Sequence, residues 1–339
     1  MPRPEIRPFD IADLDRAAEL LAVRHAAHRR AEPLLDPRFE DPAAARAEIT
    51  ELIDDGASGA IAFAGGRPEG FLIGLPSPNE VWGPNIWITP AGHAVATPET
   101  VRDLYAAAAQ RWVDEGRTAH YAVVPATDPA LVDAWFRLGF GQQQVHAVRE
   151  TATAGPPALP PGLVIRQATA ADIHALATLD LALPDHQARS PVFSSGPQST
   201  LAEAVTEWEE SIDDEDYTTF VAEREGSVVG SAIGCDVRKS KSNIGLIRPA
   251  HAGFLGFAAV LPAARGTGAG RALGEAVLDW ARQAGFPAAV TDWRATNLLS
   301  SRAWPRLGFR PHFLRLHRMI GLNLHLAPRL AALDAHSTE

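Results

Sequence analysis

The chain has 339 residues, of which 46% are hydrophobic and 21% are charged, and its formal net charge is −10. This composition is typical of a globular protein of about two domains, and the acidic balance argues against nucleic acid as a partner. The one cysteine, Cys235, excludes an internal disulfide and a cysteine-rich metal site, and no His-Glu-x-x-His or similar ligand spacing occurs. No apolar stretch approaches the roughly 18 residues that span a bilayer, and "MPRPEIRPFD" lacks a signal-peptide core, so we expect a cytoplasmic protein without a membrane or metal partner.

The two halves of the sequence begin alike. "IRPFDIADLDRAAEL" starts at Ile6 and "IRQATAADIHALATL" starts at Ile165. In both, Ile-Arg precedes a break, an Ala-Asp pair and an apolar period that predicts a helix. Asp13 and Asp172 stand near the predicted helix starts, where a carboxylate suits the helix dipole. Residues 151–162, "TATAGPPALPPG", are rich in proline and glycine and are predicted to be a linker.

The resemblance between the halves continues in the same order. Residues 63–74 and 221–234 each read as a β-hairpin, and "AWFRLGF" from Ala134 parallels "AWPRLGF" from Ala303. The separation grows from 159 (165 − 6) to 169 (303 − 134) residues. We therefore predict a duplicated unit of strand, helix, hairpin, strand, helix, strand, helix and strand. The predicted domains are 1–150 and 163–322, followed by a tail over 323–339.

A glycine-rich turn, "VLPAARGTGAGRAL" from Val260 to Leu273, follows an apolar run typical of a buried strand and precedes a helical apolar period. The free N–H groups at a helix start bind anions, and glycine lets the backbone come close to them. A purely structural tight turn explains the glycines as well. A Walker loop is excluded because no Gly-Lys-Ser/Thr follows, and a Rossmann fingerprint because Arg271 replaces its third glycine.

Two motifs in the second half resemble those of one family. The first is Arg265-x-x-Gly268-x-Gly270, which follows "VLP". The second is "TDWRATNLLSSRAWPRLGF", in which Asn297 is followed by Trp304 and then by Leu-Gly-Phe. Together they are similar to the acyl-CoA pyrophosphate loop and the second signature of the GNAT superfamily of N-acetyltransferases.

The resemblance implies an α/β (α+β) fold of two GNAT-like domains, each with a mixed, largely antiparallel twisted sheet flanked by helices. It also implies that the fourth and fifth strands of the sheet splay apart and that acetyl-CoA enters between them, without a metal. The residues that the resemblance assigns to acetyl-CoA lie on the fourth strand, in the loop and in the second signature: Ala258, Ala259, Val260, Arg265, Gly266, Thr267, Gly268, Ala269, Gly270, Arg271, Asn297 and Trp304.

The first half lacks these motifs. Its corresponding stretch, residues 87–105, contains no Arg-x-x-Gly-x-Gly, and it has no counterpart of Asn297. Glu99 and Asp103 lie near the predicted helix start, where they would repel a diphosphate. The first half is therefore predicted to be a degenerate GNAT-like domain that covers the second and shapes the acceptor pocket, with an unusual second CoA site as the alternative.

The proton-transfer groups of the second half are open. Many GNAT enzymes have a tyrosine where this chain has Trp304, and an indole N–H is not a useful acid. Tyr217 is a substitute for that tyrosine or an edge residue with a solvated hydroxyl. His251 and Asp292 are the candidate bases nearest to the fourth and fifth strands, although His251 also suits a surface position and Asp292 also suits an ion pair with a neighbouring arginine.

Two segments bear on the acceptor. Residues 207–216 contain seven carboxylates, which favours either an acidic rim that attracts a cationic amine or a solvated loop. Residues 183–197 form a proline- and serine-rich loop that we expect to cover the acceptor. The prediction is an acyltransferase that moves acetyl from acetyl-CoA to a primary amine of a small molecule, as a monomer or homodimer. The alternatives are a CoA-binding sensor or scaffold without turnover, and an acetyltransferase of protein lysines or N-termini.

Overall fold

The computed structural model describes residues 4–78, 80–194, 196 and 199–321. The predicted tail, 323–339, lies outside the described residues. The first half contains the following helices and strands: β1 Glu5–Pro8, α1 Leu14–Ala31, α2 Pro42–Asp54, β2 Ser58–Ala64, β3 Arg67–Gly74, β4 Asn85–Ile88, β5 His93–Val95, α3 Thr100–Asp114, β6 Ala119–Pro125, α4 Pro129–Phe136 and β7 Gly141–Glu150.

After residues 151–162, which contain no helix or strand, the second half follows the same order, except that one strand takes the place of β4 and β5. Its elements are β8 Leu163–Gln167, α5 Ile173–Gln187, α6 Leu201–Ser211, β9 Tyr217–Arg224, β10 Ser227–Asp236, β11 Ala252–Val260, α7 Ala269–Gln283, β12 Ala288–Arg294, α8 Leu298–Arg306 and β13 Arg310–Met319. None of the helices in the described part of the chain has the length and apolar character needed to cross a membrane.

The strand-to-helix joints at the start of each half are built alike. Asp13 accepts two hydrogen bonds of 2.7 Å from the Arg7 guanidinium, and Asp172 accepts bonds of 2.7 and 2.9 Å from Arg166. Each carboxylate also accepts a backbone N–H at the helix start, from Asp10 or from Thr169. The predicted helix-start role of the two aspartates is confirmed, and a bidentate arginine pair is added to it.

The sheets cross the boundary between the sequence repeats. The strand order of the larger sheet is β4-β6-β13-β7-β12-β11-β10-β9-β8, and a second sheet has the order β1-β2-β3-β5. Strand β7 pairs with β12 of the second half, and β13 pairs with β6 of the first half. The two final strands also pair with each other, antiparallel. Each half is therefore completed by the last strand of the other, and the predicted boundaries at 150 and 163 divide the sequence but not the sheet.

The core consists of several hydrophobic clusters, and one cluster of the first half includes Leu246 and Phe313 of the second. In the first half, α3 and α4 bury Trp112 and Trp135 completely against the sheet. In the second half, α7 packs Leu273 and Val277 against β10 and β12. Burial of such large side chains stabilises the fold by about 2 to 3 kcal/mol each. Because β7 and β13 lie in the middle of the sheet, the two halves form one body.

Candidate functional site

The glycine-rich turn connects β11 to α7, as predicted. Gly266 and Gly268 have φ of 81° and 92°, the left-handed region that glycine adopts without strain. Gly268 is the N-cap of α7 and has no side chain that could cap it. The N–H groups of the first turn, those of Ala269, Gly270 and Arg271, therefore have no capping partner within the described chain. Unpaired N–H groups and the positive end of the helix dipole form an anion site.

The turn is held in place by the linker. A Cβ on Gly268 would lie 2.7 Å from Cγ of Pro160, so only glycine fits there. Glu275 accepts the N–H of Ala158 at 3.0 Å and the Nε–H of Arg271 at 2.7 Å. Arg271 is thus engaged with its own helix, while Arg265 is exposed and its Nε–H approaches the Val260 carbonyl at 3.4 Å.

A gap opens beside this turn because β11 leaves β12. The two parallel strands pair only from Ala252 to Leu255, whereas β11 pairs with β10 as far as Val260. Beyond Leu255 the edge of β11 that faces β12 has no strand partner. Gly256 and Ala258 of this segment line a large cavity. The predicted splay between the fourth and fifth strands is present, and its backbone groups can pair with an extended ligand.

The cavity has a volume of about 790 Å³ and lies between the two halves. Its floor is formed by β11, β12 and α8, and its other walls include Trp82 and Trp87 from the first half and Gln144 and His146 from β7. Leu183 and Gln187 also line it, but they belong to α5, so the prediction that the cover loop begins at residue 183 is wrong. Ser195 and Pro197 of the predicted loop lie outside the described residues. The cavity is thus made by both copies of the repeat.

Asn297 and Trp304 both lie on the cavity wall. The Asn297 side chain is buried and caps α8 by accepting the N–H groups of Leu299 at 3.1 Å and Ser300 at 3.4 Å. Trp304 is 7% exposed and its ring packs edge-on against Phe309. The structure therefore brings Ala258 of the predicted strand and both signature residues to one cavity, while the predicted loop, residues 265–271, lies beyond the end of β11 and does not line it.

The two candidate bases are separated. Asp292 lies on the cavity wall, whereas His251 is exposed at the far end of β11, with its ring 4.8 Å from that of Phe286. The proton-donor substitute Tyr217 begins β9 as predicted but is not among the residues that line the cavity. Of the three, only Asp292 can reach an acceptor in this cavity.

Asp292 is held by polar side chains rather than by an ion pair. Its Oδ1 accepts the Gln144 amide at 2.5 Å, and its Oδ2 accepts the Ser242 hydroxyl at 2.6 Å and the Asn243 amide at 3.0 Å. His146 stands opposite it in the β7–β12 ladder and bonds to Asn243 at 3.1 Å. Burial lowers the pKa of His146, which keeps the imidazole neutral. The expected ion pair with a neighbouring arginine does not form.

Two arginines that the sequence did not indicate as site residues lie on the same wall. Arg294 on β12 and Arg315 on β13 flank Gln144 of the strand between them. The Gln144 carbonyl oxygen accepts a bond of 2.7 Å from Arg294 Nη1 and another from Arg315 Nη2. The polar run "GQQQ" at the start of an otherwise apolar strand was the available signal, although the partners of these glutamines depend on the exchange of the final strands.

The corresponding places in the first half are filled. Glu99 is the N-cap of α3 and Asp103 lies in its first turn, and Glu99 forms ion pairs with Arg102 at 2.6 Å and Arg137 at 2.9 Å. The acids that the sequence predicted at this helix start are present, and the N–H groups of residues 100–102 donate to carbonyls of the preceding turn.

The first-half gap between β5 and β6 is closed by a histidine. In the first half, Val95 of β5 pairs with Gly70, and in the second half Val260 of β11 pairs with Gly230. Two residues before each valine stand His93 and Ala258, which therefore occupy equivalent positions. The imidazole is fully buried and bonds across the gap to the Val123 carbonyl of β6 at 3.0 Å. Burial lowers the pKa of His93 to about 3, so the ring is neutral.

Comparison with known proteins agrees with this geometry. Residues 179–309 match the model of the family described as "Acetyltransferase (GNAT) family". No curated protein matches the chain. Among solved structures, a GCN5-related N-acetyltransferase from Sphaerobacter thermophilus is 15% identical, with a TM-score of 0.55 over 96% of this chain and 98% of its own.

Two further solved structures are similar over most of their length. A tandem GNAT protein from the clavulanic acid biosynthesis pathway is 17% identical, with a TM-score of 0.47 over 95% of this chain and 100% of its own. A GCN5-related N-acetyltransferase from Kribbella flavida is 16% identical, with a TM-score of 0.43 over 83% of this chain and 96% of its own. The likeness to the Sphaerobacter structure shows that both halves together adopt the predicted fold.

Proposed function

We propose that this chain, whose residues 179–309 form a domain of the acetyltransferase (GNAT) family, transfers an acetyl group from acetyl-CoA to the primary amine of a small molecule. The observation that carries the proposal is the continuity of three features. The strand edge from Gly256 to Val260 is unpaired toward β12, an uncapped glycine turn connects that strand to α7, and Gly256 and Ala258 of the edge line a cavity between the two halves.

The residues at these features fit acetyl-CoA. The free N–H groups of Ala269, Gly270 and Arg271 would hold its diphosphate, with Arg265 adding positive charge at the exposed side of the turn. The unpaired edge of β11 would bond to the amides of the pantetheine arm, with Asn297 and Trp304 on the opposite wall. When bound, acetyl-CoA supplies an activated thioester carbonyl.

The chain's own groups then promote attack by an amine. A backbone N–H on the free edge of β11 would stabilise the negative charge that develops on the carbonyl oxygen. Asp292 is the one carboxylate among the described residues of the cavity wall, and we assign it as the proton acceptor, with neutral His146 beside it as the alternative. Trp304 donates a hydrogen bond at most, so water or the ammonium product would protonate the departing thiolate.

The shape of the cavity favours a small molecule over a polypeptide. Trp82 and Trp87 of the first half form a wall opposite β12, so the acceptor side is bounded by both halves. A volume of about 790 Å³ is within the range of small-molecule sites. Polypeptide acceptors need an open cleft that the first half would obstruct.

The test is thiol release from acetyl-CoA with a panel of amines, beside calorimetry with CoA alone. We expect release with at least one amine. Asp292→Asn should lower kcat by at least about tenfold while the affinity for CoA stays the same. Binding of CoA without release for every amine would instead support the sensor, a role that Trp304 favours. Absence of CoA binding would contradict both.

A further inference from the structure

Arg294 and Arg315 form a pair of guanidinium groups on the acceptor side of the cavity. Trp293 of β12 packs toward α7 and α8, so its neighbours Asp292 and Arg294 face the opposite side of the sheet. Arg315 reaches the same face because β13 is separated from β12 only by β7. The pair thus exists because the two halves exchange their final strands.

The charge of this pair is only partly compensated by the described part of the protein. Arg315 is only 6% exposed, yet its hydrogen-bond acceptors are neutral amides, Gln143 at 2.7 Å from Nε and Gln144. Neither Arg294 nor Arg315 forms an ion pair with a described carboxylate, because both oxygens of Asp292 accept from neutral donors. The charge of Asp292 raises the pKa of both arginines, but it is one carboxylate beside two guanidinium groups, and a buried charge that is not fully compensated is costly.

Aromatic rings fix the two guanidinium groups without neutralising them. Arg294 and Arg315 lie 5.5 and 5.0 Å from the centroid of the Trp82 ring, and Arg315 lies 5.4 Å from that of Trp87. Such contacts stabilise the cations and leave their N–H edges free. No described residue accepts from Nη1 of Arg315 or from Nη2 of Arg294. The site has two oriented donors and a place for an anion.

Burial acts on both cations. It lowers the pKa of Arg294, and burial together with the Arg294 charge lowers the pKa of Arg315. A bound anion would counter both shifts. The predicted acidic rim offers no such relief, because none of residues 207–217 lines the cavity. A cationic acceptor is therefore disfavoured at this wall.

We propose that the acceptor is a primary amine that also carries a carboxylate or phosphate group, which the Arg294–Arg315 pair binds. The inference rests on the proposed function and names its substrate class. It also gives the pair a second effect, since nearby positive charge lowers the pKa of the amine and increases the fraction of the neutral form that attacks. Guanidinium groups bind both carboxylate and phosphate by paired N–H donors.

The experiment measures binding and turnover with matched amines. The probes are β-alanine and β-alaninamide, L-phenylalanine and L-phenylalaninamide, and 2-aminoethyl phosphate and ethanolamine, titrated by calorimetry into the full chain saturated with CoA. In each pair one member, called the anionic member, carries a carboxylate or phosphate that the other member lacks. We expect the anionic member of at least one pair to bind at least about tenfold more tightly than the other member. The first two pairs report on a carboxylate and the third on a phosphate.

Two variants and one control locate the effect. Arg315→Gln and Arg294→Gln should each reduce the preference for the anionic member to about one and raise its KM, while the affinity for CoA is unchanged; Arg294 is less buried than Arg315, so its variant guards against misfolding. Arg294→Lys should retain part of the preference. Arg46→Gln, on the exposed face of α2, removes the same charge elsewhere and should retain all of it.

Three results decide the matter. Equal binding of both members in every pair would overturn the proposal, as would a preference that survives in both glutamine variants. A preference that depends on the arginines without any thiol release would support anion binding and contradict the acetyl transfer. The failure of the inference and the failure of the proposed function are therefore distinguishable.

Discussion

The starts of α3 and α7 occupy the same position in two copies of one fold, and neither has a side-chain cap. At α7 the left-handed Gly268 precedes first-turn N–H groups that have no partner in the described chain. At α3 the same place holds Glu99, which is paired with two arginines, and the N–H groups of residues 100–102 donate to carbonyls of the preceding turn. An anion site at a helix start therefore needs first-turn N–H groups that the chain itself leaves unused.

The gaps beside these helices differ in the same sense. His93 closes the gap of the first half by bonding to Val123 of the neighbouring strand, whereas Ala258, at the same register, leaves the gap of the second half open. The first half therefore has a buried hydrogen bond at the place where the second half has an open gap. Four substitutions test the differences between the two halves.

Removal of the histidine should have the largest effect. His93→Ala deletes a fully buried ring and leaves the Val123 carbonyl without its donor, so we expect a loss of about 3 kcal/mol in the free energy of unfolding. Urea unfolding measures it. His251→Ala is the control, because that ring is exposed at the far end of β11 and should affect neither stability nor turnover. A loss below about 1 kcal/mol for His93→Ala would contradict the role of His93.

A negative charge at the start of α7 should come next. Gly268→Glu places a side chain at a left-handed position, against Pro160, and adds a carboxylate to the anion site. We expect the Kd for CoA to rise at least about a hundredfold. Gly285→Glu, at φ of 82° after the other end of the same helix with no atom within 4 Å of its Cβ, introduces similar strain and should leave the Kd unchanged.

A histidine can be introduced in the second half at Ala258, the counterpart of His93. In Ala258→His the new imidazole should reach toward the carbonyl of Asp292, the counterpart of Val123, and narrow the gap. We expect at least about a tenfold rise in the Kd for CoA, measured by calorimetry. Ala258→Ser, which keeps the gap open, should bind CoA as the natural chain does. Equal affinity in both variants would show that the gap is not the entry for the cofactor.

The smallest effect concerns a pair of helix positions. Leu21 of α1 is fully buried, while the carboxylate of Asp180 on α5, 159 residues later (180 − 21), accepts the Trp208 indole N–H at 2.5 Å. Burial raises the pKa of Asp180 to about 6. The raised value means that the folded state favours the protonated form, so the contribution of Asp180 to stability is largest below about pH 4 and is lost as the pH rises to about 6.

Asp180→Asn should remove this loss of stability between about pH 4 and pH 6. We expect the variant to be more stable than the natural chain by about 1 kcal/mol at pH 7 and equally stable at pH 4. Thermal unfolding at both pH values measures the difference. Asp185→Asn, on the same helix with its side chain 53% exposed, should show no such dependence. An Asp180→Asn effect that is equal at both pH values would contradict the assignment.

The sequence was sufficient for the repeat, the hairpins and the turn before α7, because these depend on local patterns of glycine and apolar residues. It could not reveal that β7 and β13 are exchanged between the halves. Either strand could pair antiparallel with β6 or with β12, and the sequence pattern does not distinguish the two pairings. The Arg294–Arg315 pair depends on that exchange, so it was missed as well. The role of His93 could not be predicted from the short segment "HAV", because its partner, the Val123 carbonyl, is distant in the sequence.

The most direct test of the account is the stoichiometry of CoA binding to the full chain. Calorimetric titration should give one CoA per chain, with no binding near the first half, because His93 and Glu99 close its gap and repel the diphosphate. The same titration of Gly268→Glu should give none at concentrations that saturate the natural chain. Two CoA molecules per chain, or one that persists unchanged in Gly268→Glu, would contradict the claim that the second half alone carries the site.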